Sequence, residues 1–102
     1  MTHSRTYLDE VMEIAEAIDA EQIENMAREL AKLRDGGKRL MFIGLGGSAA
    51  NASHAVNDFR KLCGIDAHCP TDNVAAFTAY ANDEGWSNAF AHQYADCGDP
   101  VF

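Results

Sequence analysis

The stretch Leu40-Met41-Phe42-Ile43-Gly44-Leu45-Gly46-Gly47-Ser48-Ala49-Ala50 decides the fold of this chain. Four apolar residues follow one another without polar alternation, so Leu40 to Ile43 reads as a strand covered on both faces, as in a parallel sheet. Three glycines among the next four residues let the backbone turn sharply and come close to a ligand. Ser48 stands where a helix N-cap is expected, and the free N–H groups and positive dipole end of a helix start attract an anion. A tight strand-to-helix turn needs glycine with or without a ligand, so the pattern by itself admits both readings.

Upstream of the strand, Thr6 with Asp9 has the spacing of a capping box, and Leu8, Val11, Ala15 and Ile18 recur at helical spacing. Asp19 with Gln22 starts a second helix with the stripe Ile23, Met26, Ala27, Leu30 and Leu33, which Gly36-Gly37 stops. Residues 1–37 therefore read as a helical hairpin with acidic outer faces, its apolar stripes serving a core or a helix-to-helix contact between copies. Downstream, a helix from Ser48 to about Leu62 puts Ala52, Ala55, Val56 and Phe59 on one side. Its other side carries Ser48, Asn51, His54 and Asp58, at spacings of three, three and four.

Ile65 to Cys69 is short enough for a second strand, and Pro70-Thr71-Asp72 breaks it before a helix over residues 73–81. Asn82-Asp83-Glu84-Gly85 reads as a polar turn. Trp86, Phe90 and Tyr94 recur at helical spacing as core packing of a further helix, ended by Cys97-Gly98-Asp99-Pro100. Val101-Phe102 reads as the beginning of a third strand. The fold class is α/β: the N-terminal part of a doubly wound, flavodoxin-like parallel sheet preceded by a helical hairpin. Residues 38–102 then supply the first βαβ unit, two further helices and the start of that third strand. In such sheets the ligand crevice lies where neighbouring strands send their connections to opposite faces, so these residues hold one wall of it.

The 102 residues, 47% hydrophobic, suffice for one domain with a single core. A formal net charge of -8 and an isoelectric point near 4.7 argue against nucleic acid or an anionic membrane surface as the main partner. Any anion must be captured locally, by dipoles. Cys63, Cys69 and Cys97 are an odd set without C-x-x-C spacing, which fits a reduced cytoplasm better than a disulfide framework or a zinc knuckle. Met1 to Glu10 lacks the basic-then-apolar order of a targeting segment, and no window approaches a membrane span.

A solvated outer face would also be polar, which is the ordinary explanation of the stripe Ser48, Asn51, His54 and Asp58; what favours a functional reading is that it begins at the glycine turn, where a bound phosphate would sit. His54 and Asp58 supply two metal ligands at i, i+4, fewer than a zinc site needs. Gly44-Leu45-Gly46-Gly47-Ser48-Ala49 also satisfies the dinucleotide pattern G-x-G-x-x-A, with Asp66 at about the expected distance. Asp66, however, opens its strand, whereas a ribose-binding acid belongs at the carboxyl end, and two helices precede the first strand. Asn51-Ala52-Ser53 is a chance glycosylation sequon in mid-helix, and His3, His68 and His92 have no ligand-spaced partners.

Several of these features together resemble the sugar isomerase (SIS) domain, and within that group the phosphoheptose isomerases. The likeness is carried by the two N-terminal helices, the strand running into Gly46-Gly47-Ser48-Ala49-Ala50-Asn51-Ala52, His54 in the following helix, and Asn82-Asp83-Glu84-Gly85-Trp86. It covers nearly all of the chain and about the N-terminal half of the family's domain, so residues 1–102 are expected to be a single truncated SIS domain. The resemblance implies a phosphosugar substrate: sedoheptulose 7-phosphate and a heptose 7-phosphate interconverted through an enediol, for bacterial surface polysaccharides. It also implies a cytoplasmic homo-oligomer with sites formed between subunits.

The resemblance further implies that Ser48 helps bind the phosphosugar, with Asn51 on the same face and Gly46 and Gly47 allowing close approach. Asp83, accompanied by Asn82, matches an acidic contact to the sugar hydroxyls. His54 and Asp58 fall on a His-x-x-x-Glu pair whose glutamate moves the proton between the enediol carbons, and which binds zinc in some members. Here the glutamate is an aspartate, one methylene shorter, and the family's usual Asn before Gly-Gly-Ser is Leu45. These departures leave open a divergent isomerase and a phosphosugar-binding or regulatory SIS module without isomerase activity; a dinucleotide-binding domain ranks below both. The family's serine- and threonine-rich phosphate loop and its later glutamine and histidine fall outside these residues, which by themselves are expected to lack turnover.

Overall fold

The computed structural model describes residues 1–97, with side chains as far as Tyr94. Helix α1 spans His3–Ala17 and starts one turn before the expected capping box. The Thr2 hydroxyl accepts from the Arg5 N–H at 3.1 Å, and Thr6 Oγ1 donates to the Thr2 carbonyl at 3.2 Å. Thr2 is thus a competent N-cap, and Thr6 is left inside the helix. Asp9 is used differently too, pairing with Arg5 at 3.2 Å along the helix surface. Helix α2 covers Ala20–Asp35, entered as expected through Asp19, whose carboxylate accepts from the Glu21 N–H at 3.0 Å. At its end the Gly36 and Lys38 N–H groups bond back to the Lys32 and Leu33 carbonyls at 2.9 and 3.0 Å.

The chain divides into two compact units, Met1–Leu30 and Ala31–Phe102. In the first, the apolar stripe is not a core: Leu8, Val11, Ile18, Ile23 and Met26 are all exposed, Leu8 to 50%. An amphipathic helix buries its stripe only where another layer covers it, and no residue of α1 is buried. Of the two uses expected for these stripes, a core within the chain holds only at the far end of α2, where Leu33 is buried.

In the second unit, strand β1 (Arg39–Met41), helix α3 (Gly47–Cys63) and strand β2 (Asp66–His68) form the expected parallel βαβ unit. Arg39 is paired with Asp66, Leu40 with Ala67 and Met41 with His68. Both strands are shorter than the stretches expected, Leu40 to Ile43 and Ile65 to Cys69. Leu40 and Met41 are buried, Phe42 is half-buried and Ile43 is 50% exposed, so cover on both faces ends where the chain leaves the sheet. Buried Ala52 and Val56 turn one face of α3 inward, and the Phe59 ring meets Phe42 at 5.1 Å. With Ile65, Ala67, Cys69 and Ala89 these side chains make the core; burying Leu40 alone contributes about 1.5–3 kcal/mol.

After β2 a 3-10 turn over Pro70–Asp72 leads to helix α4, Val74–Glu84, capped by Asn73, which accepts from the Ala76 N–H at 3.0 Å. The helix runs past the expected end, so Asn82, Asp83 and Glu84 are its last turn and only Gly85 breaks it. Helix propensities of Asn and Asp fall short of Ala by at most about 0.7 kcal/mol per residue, too little to end a helix that packing favours. A 3-10 turn, Trp86–Asn88, then joins helix α5, Ala89–Cys97. Phe77 anchors this region, meeting Trp86 edge-on at 5.8 Å and Phe90 at 5.1 Å. Core packing was the expectation for Trp86, Phe90 and Tyr94, yet Trp86 is 61% and Tyr94 44% exposed. Trp86 lies in the tighter 3-10 turn, so four-residue spacing does not align it with the other two. The expected third strand at Val101-Phe102, and Gly98-Asp99-Pro100 before it, lie outside the described residues.

Candidate functional site

The strand-to-helix turn is built by three glycines with separate duties. Gly44 is buried, and a Cβ there would come within 2.4 Å of the Ser48 carbonyl oxygen and 2.8 Å of the Ala49 nitrogen. The strand exit therefore lies directly on the first turn of α3. Gly46 is the N-cap residue, at φ 58° and ψ -125°, a conformation that L side chains rarely adopt. Gly47 is different: a Cβ would meet nothing within 4 Å. It opens the helix onto free space.

Ser48 is not the N-cap that the sequence led us to expect. Its hydroxyl accepts from the Leu45 N–H and donates to the Leu45 carbonyl, both at 2.8 Å, and thereby closes the turn. The Ser48 and Ala49 N–H groups are taken by the Leu45 and Gly46 carbonyls at 3.1 Å. Gly46 and Gly47 keep their N–H groups without an acceptor among the described residues. Two open donors at the positive end of a 17-residue helix form a small anion cradle.

Along α3 the polar stripe is present as read. Asn51 is exposed, and His54 Nε2 lies 3.2 Å from Asp58 Oδ2, the two side chains being 77% and 45% exposed. A zinc ion needs more than this pair: among the described residues no third His, Cys, Asp or Glu joins it to make a metal-holding group. Asn82 and Asp83 sit elsewhere, on the last turn of α4, where Asn82 Nδ2 donates to Asp83 Oδ1 at 3.2 Å. Helix α3 packs on β2 and the 70–72 turn, and α4 on that same turn, on α5 and on the 86–88 turn. Among the described residues no hydrogen bond links Asn82 or Asp83 to the glycine turn or the His54–Asp58 pair. The expected site residues thus stand on two different helices, with no hydrogen bond between the two groups among the described residues.

Sequence comparison decides what these parts belong to. The chain is 40% identical to a phosphoheptose isomerase of Thermodesulfovibrio yellowstonii over 76% of its own length and 41% of that protein's. It is 37% identical to a phosphoheptose isomerase of Geobacter metallireducens over 99% of its own length and 57% of that protein's. A phosphoheptose isomerase of Geobacter sulfurreducens is 36% identical over 90% of the chain and 53% of the relative. The chain belongs to the phosphoheptose isomerase family, as its N-terminal half. It spans about half the length of the curated relatives it matches. No family model and no solved structure matches it.

Two features of the structure go beyond the sequence reading, in which Gly44 counted only toward the freedom of the turn. One is Gly44, whose signal was its place at the strand exit, where close backbone approach forbids a side chain. The other is a network on β2. His68 Nε2 lies 2.7 Å from Asp66 Oδ1, His68 Nδ1 lies 3.1 Å from Arg60 Nη2, and Arg60 Nε donates to the Ala67 carbonyl. Because arginine only donates, Nδ1 is the acceptor and the His68 proton sits on Nε2, facing Asp66. His68 therefore has hydrogen-bond partners, though no metal-holding group among the described residues, and the signal was the i, i+2 spacing that puts both residues on one strand face. Asp66 opens β2 opposite Arg39, at the strand ends remote from the glycine turn, which removes it as a ribose-binding acid. His92 has partners as well: Glu84 at 3.6 Å and the Tyr80 ring, stacked at 5.2 Å. Of the cysteines, Cys69 is buried and Cys63 exposed, both free thiols.

Proposed function

We propose that this chain supplies one wall of the phosphosugar site of a ketose/aldose phosphate isomerase, converting sedoheptulose 7-phosphate to heptose 7-phosphate. The observation that carries the proposal is the pair of open Gly46 and Gly47 N–H groups at the head of a helix whose outer face presents Asn51, His54 and Asp58. The two donors hold an anionic oxygen of the sugar phosphate, and Ser48, by bonding both polar groups of Leu45, keeps them aimed outward. The Asp58 carboxylate takes the proton from the carbon beside the carbonyl, giving the enediol, and returns it to the neighbouring carbon. A hydroxyl proton passes meanwhile to the former carbonyl oxygen, so the sugar is isomerised without net gain or loss of atoms. His54, 3.2 Å from Asp58, orients that carboxylate.

Asn82 and Asp83 contact sugar hydroxyls from α4, in a site completed by a second copy of the chain. Exposed Leu8, Val11 and Ile18 support such a homo-oligomer, since they form an uncovered apolar stripe. We read residues 1–102 as one partial SIS domain, working in the cytoplasm in polysaccharide synthesis; among the described residues no helix is long and apolar enough to cross a membrane. Among the described residues no third ligand joins His54 and Asp58 to make a zinc site.

One observation favours a second reading. Leu45, 48% exposed, puts an apolar side chain on the turn, as a phosphosugar-binding module without isomerase activity would tolerate. Substrate affinity and turnover of the full polypeptide carrying these residues, with Asp58→Asn and Asp58→Glu variants, separate the two. An isomerase loses turnover at least a hundredfold in Asp58→Asn while binding persists, because a positioned general base is worth about 10²–10⁴ in rate. Binding without turnover in the parent protein establishes the module instead.

A further inference from the structure

The second unit contains a cavity of about 460 Å³, away from the glycine turn, that neither the isomerase reading nor the polar stripe of α3 uses. Arg39 and Met41 of β1, Arg60 of α3, His68 of β2, Asn73 and Gln93 are among its lining residues. Its volume lies in the range of small-molecule sites. Apolar wall comes from Met41, Val56, Pro70 and Ala76, and the remaining groups are mainly hydrogen-bond donors.

Two of those groups keep unused donors, and a third is only partly used. Gln93 Nε2 is sealed from solvent and has no hydrogen-bond partner among the described residues. Asn73 spends Oδ1 on capping α4, which leaves its amide NH₂ available. Arg60 is held rigidly, Nε on the Ala67 carbonyl and Nη2 on His68 Nδ1, and among the described residues no carboxylate pairs with it. His68, accepting through Nδ1, brings no negative charge to it, and the Asp66 carboxylate reaches it only across that ring. Asp72 is the acid in the lining, and both it and Arg60 are exposed, with no ion pair between them among the described residues. Buried donors are normally satisfied, so the sealed Gln93 amide, in a cavity also lined by the held Arg60 guanidinium, asks for an acceptor.

The geometry points to a second binding site in this cavity for a small organic anion, with its oxyanion head on Arg60 and Gln93 and its body against Met41, Val56 and Ala76. This site is independent of the phosphosugar reading, since none of its residues belongs to the glycine turn or the His54–Asp58 pair. It takes a ligand from solution without sharing a donor with the substrate.

The test is a titration of isotope-labelled protein with inorganic phosphate and, separately, with citrate, following the Gln93 side-chain amide and the Arg60 Nε–H by NMR. Comparing the anions tells a phosphate head from a carboxylate head. Saturable movement of both signals is expected with at least one anion. Gln93→Leu, which removes the orphaned amide and so leaves folding intact, is expected to weaken binding at least tenfold, as is Arg60→Gln. Folding is checked by circular dichroism, and Gln93→Leu decides alone if Arg60→Gln does not fold. The proposal is overturned if neither anion moves the Gln93 and Arg60 signals, or if Gln93→Leu binds as the parent does. Movement confined to the Gly46 and Gly47 amides overturns it too, and leaves the phosphosugar reading standing.

Discussion

Replacing Gly44 by alanine should undo the turn on which the site rests. The new Cβ would stand 2.4 Å from the Ser48 carbonyl oxygen, 2.5 Å from its carbon and 2.8 Å from the Ala49 nitrogen. All three are backbone atoms of the first turn of α3, so no side-chain rotation relieves the clash. Overpacking of this kind costs about 1–3 kcal/mol. Moving α3 off the strand exit also strains or breaks the two 2.8 Å bonds between Ser48 and Leu45, each contributing about 1 kcal/mol. The expected loss is about 3–5 kcal/mol, a large share of the roughly 5–15 kcal/mol that stabilises a small domain. Urea unfolding followed by circular dichroism measures it, with Gly47→Ala as the control, since a Cβ there meets nothing within 4 Å. A Gly44→Ala protein within about 0.5 kcal/mol of the parent, the range of an ordinary surface substitution, would refute the packing of strand exit on helix start.

The same turn separates folding from binding. Gly47→Ala should leave stability unchanged or raise it by up to about 1 kcal/mol, alanine being the better helix former, yet weaken phosphosugar binding in calorimetry because its methyl enters the open space before the cradle. Ser48→Ala should cost about 1–2 kcal/mol in denaturant unfolding through the lost Leu45 bonds, and should loosen the turn rather than delete a direct ligand contact. Val11→Glu, at an exposed position, should leave helix content unchanged and shift the oligomer toward monomer in light scattering. An unchanged mass would show that the stripe is not the contact between copies.

Most of the βαβ unit was legible because its signals are local and redundant. An unbroken apolar run, glycines at the exit and an inward Ala52, Val56, Phe59 face all point to one parallel crossover, and the register of β1 on β2 agrees. Boundaries were harder to read. The helix started at Thr2 rather than Thr6, and α4 ran through Asn82 and Asp83, since each choice turns on a few tenths of a kcal/mol of capping or propensity. Burial in the first unit was not legible at all, because a stripe such as Leu8, Val11 and Ile18 looks the same whether the covering surface comes from this chain or from another molecule.

At the site, the residue types on α3 could be named from sequence, but their duties could not. Ser48 looks like a cap or a ligand, and only the structure shows its hydroxyl engaged with Leu45 on both sides. The Arg60–His68 contact joins α3 to β2 through the fold, at a separation no motif describes. Asn82 and Asp83 could be placed in the site only by resemblance, and the described residues leave them on a different element from His54.

The most direct test of the isomerase-site proposal is NMR titration of the isotope-labelled protein with sedoheptulose 7-phosphate, following the backbone amides of Gly46 and Gly47. Saturable downfield shifts of those two amides, with His54 responding at the same midpoint and unphosphorylated sedoheptulose giving none, are the expected result. Saturation of the protein by the sugar phosphate with both glycine amides unmoved would contradict the claim that this turn holds the substrate.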